Sequence, residues 1–253
     1  MPEDFGSEAG RKIANRFNLL LELEFDGEGF FGWQKQPKRR TVQGELEKVL
    51  AIIFQKKIKT TGVSRLDRGV SALSFFVNFQ CPKALPLARL KKALNSLLPQ
   101  DIYVKKIGIK GDDFSARRAA KSKVYEYHIF FGRSPLKRER VWELEYKIDE
   151  EKMREALNLF LGKRDFAPFV KREGKGICEL KEIEIKKRGK ELIIKIEGDR
   201  FLYKMVRRIV GALVDYARGK ITKEDIINAL EGKPHRPFLT APPQGLFLRK
   251  VKF

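Results

Sequence analysis

The 253-residue chain has few of the residues from which metal centres and disulfide frameworks are made: two cysteines, Cys81 and Cys178, and two histidines, His128 and His235. The cysteines are far apart and each is set in strand-like sequence. That gives neither a disulfide scaffold nor zinc-ligand spacing, so both read as reduced structural thiols. So few imidazoles and thiolates exclude the usual His and Cys metal clusters and leave open only an all-carboxylate magnesium site; the sequence calls for no metal and no cofactor. Long apolar runs are missing too. The longest, such as LLLEL at 19–23, fall far short of the about 20 residues that a helix needs to span a bilayer, so no membrane partner is expected. Residues 1–14 contain Glu3, Asp4 and Glu8 but no apolar segment. They read as a flexible tail rather than a signal peptide, with the cytoplasm as the expected location.

Acidic residues are scarce beside basic ones. The 33 Asp and Glu face 54 Lys and Arg, for a net charge of +21. An excess of that size repels itself in the compact state and creates a positive field, which suits a polyanion, and nucleic acid before an anionic membrane surface. The 42% hydrophobic content with 11% aromatics is enough to build real cores in a chain of this length.

Hydrophobic periodicity gives the organisation. NLLLELEF at 18–25 reads as a strand, followed by the aromatic and glycine-rich loop DGEGFFGWQKQPKRR. A helix starts after Thr41, a suitable N-cap, with Val42, Leu46, Val49, Leu50 and Ile53 on one face. Strands follow near 57–61 and 74–80, then a helix over 86–97 with Pro86 at its start, then the strand DIYVKKIGI. A second round begins with SKVYEYHIFF at 122–131. It continues with a helix capped by Asp149 that carries Met153, Leu157, Phe160 and Leu161 and ends at Gly162. Next come two strands around the turn RGK at 188–190, a long helix over 201–218, a short helix with Thr222 and Asp225 as a capping pair, and the strand LFLRKVKF. The expected fold is α+β: two ferredoxin-like (RRM-like) βαββαβ halves, over 15–112 and 113–253, with their sheets side by side and a cleft between them.

In SRLDRGVSA at 64–72, Asp67 stands between Arg65 and Arg68 and ahead of Gly69, a carboxylate presented on a turn between two strands. Alone, such a run is ordinary turn chemistry. Four further blocks change its weight: FDGEGFFGWQKQP with TVQGELEKVL, KVYEY, FLYKMVRRIVGALVDYARGK and APPQGLFL. Together and in this order the five resemble the tRNA pseudouridine synthase A family. That family's active-site motif is a variant of GRTDAGVHA, matched here by Arg65, Asp67, Gly69, Val70 and Ala72.

The resemblance implies an isomerase that cuts the bond between uracil N1 and ribose, turns the base and rejoins it through C5, in the anticodon stem and loop of tRNA at positions 38–40. It makes Asp67 the nucleophile or base, which must be ionised, with Arg207 as the paired cation. Tyr125 becomes the ring against the target base, and Arg65 an aid to base flipping or a phosphate contact. Lys35, Lys38, Arg39, Arg40, Arg117 and Arg118, with Lys121 and Lys123, flank these elements and are candidates to track the RNA backbone. Gly211, one turn after Arg207, suits close helix packing. The resemblance also implies a homodimer. Ser64, Leu66, Arg68 and Ser71 depart from the commonest bacterial form of the motif, which leaves the modified position open. Two other readings stand beside this one: a non-catalytic RRM-like RNA-binding protein, and a carboxylate-dependent nuclease.

Overall fold

The computed structural model describes residues 17–83, 85–171 and 173–253; the expected tail over 1–14 lies outside them. The chain is α+β, built on one large, mostly antiparallel sheet. In the first part β1 (Phe17–Phe25), α1 (Val42–Phe54), β2 (Thr60–Gly62), β3 (Ser71–Cys81), α2 (Leu87–Leu97) and β4 (Ile102–Lys110) follow in order. After the short α3 (Ala116–Ala119) come β5 (Ser122–Phe131), β6 (Trp142–Leu144), α4 (Glu150–Glu155), β7 (Gly162–Asp165), β8 (Ile177–Arg188), β9 (Glu191–Gly198), α5 (Met205–Ala217), α6 (Lys223–Glu231) and β10 (Leu246–Lys252). The strands run β4-β1-β3-β10-β5-β9-β8-β7, with β2 on β3 and β6 on β5. The sheets expected side by side are therefore one ten-stranded sheet, joined where β10 pairs in parallel with the start of β3, Phe247 opposite Ser71 and Leu248 opposite Ala72.

Local sequence accounts for most elements. In β1 Leu19, Leu21, Leu23 and Phe25 all point into the core, as the two-residue repeat of a strand requires. Thr41 caps α1 by accepting from the Gly44 amide, and Val42, Leu46, Val49 and Leu50 form its buried stripe. Asp149 accepts from two amides at the start of α4, and Thr222 with Asp225 closes a reciprocal capping box on α6. The two-residue turn Gly189-Lys190 sets Ile183 opposite Ile196 and Ile185 opposite Ile194. Among the described residues no helix is long and apolar enough to cross a membrane.

Two helices differ from expectation. The helix over 149–161 stops at Glu155 and tightens into a 3₁₀ turn at Leu157–Phe160, with Gly162 opening β7 instead of capping a helix. Leu157 and Phe160 are both buried, and residues three apart eclipse on one side only in the tighter helix. The long helix begins at Met205 rather than 201, because Lys204 adopts a left-handed φ of 58°.

The outer face of β5 carries an ionic cluster. His128 Nδ1 lies 2.6 Å from Glu191 Oε1 and Nε2 3.8 Å from Glu126 Oε2; Lys137 and Arg249 pair with the two glutamates in turn. Burial pulls the His128 pKa down, but the two carboxylates outweigh it and hold the value above 6.5. Burial acts upward on Glu191, yet His128 and Lys137 hold it below 4.5; the hydrogen bond from His128 leads in holding Glu126 below the same value. A raised imidazole contributes its full stability below its unfolded value and loses it as pH climbs through the folded one; the lowered carboxylates do the reverse on the acid side. The cluster is therefore complete between pH 4.5 and 6.5. His128→Gln should lower the melting temperature by about 2–4 °C in that window, for a loss on the order of 1 kcal/mol, with the gap to wild type closing as pH rises further. A gap independent of pH in thermal melts would contradict this assignment.

Candidate active site

The join between β3 and β10 brings together segments far apart in sequence. Asp67 sits on the turn just ahead of β3, where the Val70 amide donates to the Asp67 carbonyl. The start of β10 lies beside β3 on one side and β5 on the other, with Leu248 opposite Tyr125. Helix α5 delivers Arg207, whose Nη1 is 3.1 Å from Asp67 Oδ2, with the two side chains 12% and 18% exposed. The carboxylate keeps one face toward solvent while a fixed cation holds the other.

Each of the blocks singled out in the sequence touches this pair or its support. The FFGW loop wraps the Asp67 turn: the Trp33 amide donates to Leu66 O, and the Gly69 amide donates to Phe30 O. Gly32, at φ +86°, lies so near that a Cβ there would be 2.4 Å from Leu66 O, so this contact requires glycine twice over. Tyr125 of KVYEY is buried and meets Phe201 edge to face at 4.9 Å. Tyr127, two residues on, is core: it is fully buried and its hydroxyl donates to Pro242 O at 2.7 Å. The APPQ segment holds Arg207 from behind, Nε donating to Ala241 O at 2.7 Å and the Ala241 amide donating to Arg207 O at 3.0 Å. Gly211 allows this, since a Cβ there would stand 1.9 Å from Leu239 O. Arg208 turns the other way, over the Phe238 ring at 5.6 Å.

These groups open onto a cleft of about 760 Å³, of the size that ligand sites occupy. Among the described residues, Arg65, Arg117, Lys123, Arg200, Lys204 and Arg207 line it against two carboxylates, Asp67 and Asp199, with Tyr125, Phe201, Tyr203, Met205 and Leu246 among its apolar walls. Burial raises the Tyr125 pKa well above its usual value of 10.0; the Asp67 charge adds to this and the Ser64 hydroxyl opposes it, so the phenol stays protonated. Burial lowers the pKa of Lys123; the Asp199 charge opposes this, and the neighbouring Arg117 and Arg200 add to it. Six cations against two carboxylates give the cleft a positive field. Among the described residues no group of three or more His, Cys, Asp or Glu side chains is placed to hold a metal ion.

Of the residues expected from sequence, Arg65, Asp67, Arg117, Lys123, Tyr125 and Arg207 share this cleft. Lys35, Lys38, Arg39, Arg40, Arg118 and Lys121 do not line it. Arg40 makes two hydrogen bonds to Asp101, at 2.7 and 2.9 Å, and stacks on Phe30; Arg39 and Arg68 stack on Phe31; Lys35 pairs with Glu47. Arg200, Tyr203 and Lys204 escaped the sequence reading because FLYK fits the opening turn of a long helix. The interleaved basic and aromatic residues of RFLYK are the signal that marks them.

A family model described as tRNA pseudouridine synthase matches residues 23–117 and 156–253. The chain is 40% identical over 238 residues to the tRNA pseudouridine synthase A of Aquifex aeolicus (strain VF5), covering 92% of this chain and 98% of that protein. It is 43% identical over 241 residues to the enzyme of that name from Thermosipho melanesiensis, covering 93% of this chain and 99% of the relative. The two matched segments hold Arg65, Asp67, Arg117 and Arg207, and Tyr125 lies between them.

Proposed function

The chain belongs to the tRNA pseudouridine synthase A family, and from that membership and the geometry of its cleft we propose how it isomerises uridine to pseudouridine in tRNA. The bond from uracil N1 to ribose C1′ breaks, the base turns, and C5 bonds to C1′ in its place. C5 loses a proton and N1 gains one, so no oxidant and no net water is consumed. The observation that carries the reading is the Asp67–Arg207 pair, 3.1 Å apart inside a cationic cleft.

Asp67, paired with Arg207, is the nucleophile or base. The target uridine must leave its stack to reach it, at a cost of about a few kcal/mol that the pocket's contacts offset. Tyr125 lies against the extruded base, and Arg65 fills the vacated place or holds a phosphate. Arg117 takes an RNA phosphate beside the cleft. Lys35, Lys38, Arg39 and Arg118, outside it, track more distant backbone, while Arg40 is committed to Asp101. The strand orders β4-β1-β3-β2 and β10-β5-β9-β8 support taking 15–112 and 113–253 as two ferredoxin-like halves. That it acts as a homodimer rests on the family resemblance alone.

The address we propose is the anticodon stem and loop, positions 38–40. Mapping pseudouridine by chemical probing or mass spectrometry in an unmodified tRNA pool should show new product confined to those positions. Product elsewhere moves the address, and tight binding without product makes the protein an RNA-binding module instead.

A further inference from the structure

Tyr203 is 70% exposed, an unusual setting for a ring on the wall of a cleft whose other aromatic residues, Tyr125 and Phe201, are packed. Among the described residues the ring's one cation or aromatic partner is Lys204 Nζ, 4.9 Å above one face, and at 70% exposure most of the rest faces solvent. The backbone that presents it is fixed on both sides. Asp199 accepts from the Glu179 and Arg200 amides, Leu202 is buried, and the Met205 amide donates to Leu202 O. Between them Lys204 is held at φ 58° and ψ 8°, a left-handed conformation that costs a lysine free energy and that glycine would adopt freely. That turn delays the helix to Met205 and leaves Tyr203 on the rim, where folding gains little from it.

Resting on the proposed uridine isomerisation, we infer that Tyr203 is a stacking platform for an unpaired nucleotide next to the extruded uridine. When a base leaves its stack, its neighbour loses a partner. An aromatic face within reach of the cleft replaces that partner, and does so for any base because every base offers a π-face. Lys204 and Arg200, on either side of Tyr203 in sequence and on the same cleft wall, supply cations for the phosphates of that nucleotide. The target base itself goes to Asp67 and Tyr125, deeper in the cleft, so the rim residue sets how the flanking strand is held and not the chemistry.

The test is steady-state kinetics on a tRNA transcript, with 2-aminopurine placed beside the uridine that the wild type converts. Tyr203→Ala should raise KM roughly 5- to 100-fold, the range of one lost stacking contact, with kcat within about threefold and the 2-aminopurine quench lost. Tyr203→Phe should keep both KM and quench, and thermal melting should be unchanged in each variant, since the residue is 70% exposed. Wild-type kinetics in Tyr203→Ala, equal damage in Tyr203→Phe, or a fall in kcat at unchanged KM each overturns the inference. A wild type that makes no pseudouridine overturns the isomerase reading instead, and the two failures are separate.

Discussion

Asp67→Asn is expected to bind tRNA as the wild type does and to form pseudouridine slower by roughly 10⁴-fold or more. General acid or base help alone contributes roughly 10²–10⁴-fold, and this substitution removes a group that meets the reacting atoms, so the loss should lie at or beyond the upper end. The amide fills the same volume and accepts the same hydrogen bond from Arg207 Nη1, now 3.1 Å from the Asp67 carboxylate. What it lacks is the negative charge and the basic, nucleophilic oxygen. Arg207 keeps Ala241 O as a partner, and the loop around residue 67 is held by the Trp33 and Gly69 amides rather than by the carboxylate, so the fold should survive. Product formation measured by chemical mapping, beside affinity measured by anisotropy, separates the outcomes. Turnover close to wild type would move the chemistry to another group. Loss of binding with loss of product would make Asp67 a structural residue of the cleft.

The sequence made the local parts of this molecule readable and left the distant joins obscure, for physical reasons. Thr41 ahead of Val42, Thr222 with Asp225, and the turn between Ile185 and Leu192 each satisfy backbone groups within a few residues, so their spacing alone implies their geometry. The parallel join of β3 and β10 is different. It rests on Ser71 meeting Phe247, and no periodicity in either strand names its partner. Arg40 reads as one more surface cation until Asp101, 61 positions away, is found on it. Lys204 carries no mark of the left-handed turn it makes, because nothing in FLYK forbids a helix; the packing on either side imposes it. Asp67 and Arg207 lie 140 positions apart, and only the ordered set of five blocks tied them together in advance. Those blocks share one neighbourhood: FFGW wraps the Asp67 turn, KVYEY gives Tyr125, MVRR gives Arg207, and APPQ holds Arg207 in place.

Replacing Arg207 should separate the two functions of that last contact. Arg207→Lys keeps a positive charge, but an ammonium cannot serve Asp67 Oδ2 and Ala241 O in the fixed fork that Nη1 and Nε provide. A loss of about 10²-fold in kcat, with tRNA affinity within a few-fold, is the expected result. Arg207→Ala goes further. It removes the cation that holds Asp67 and the bond from Nε to Ala241 O, leaving only the Ala241 amide's bond to the residue-207 carbonyl. Breaking a buried ion pair costs about 3–5 kcal/mol, and because Asp67 opens onto the cleft the lower end applies, near 3 kcal/mol. For a chain of this size that is about 6–12 °C in melting temperature. The second substitution then decides the cause. If the stranded charge is what destabilises, Arg207→Ala with Asp67→Asn should melt higher than Arg207→Ala alone, although both are inactive, because the uncompensated carboxylate is gone. Should the double variant melt lower instead, by the sum of the single effects, then the stability supplied by Arg207 comes from its hold on Ala241. The pairing with Asp67 would then matter for the carboxylate's chemistry but not for the fold.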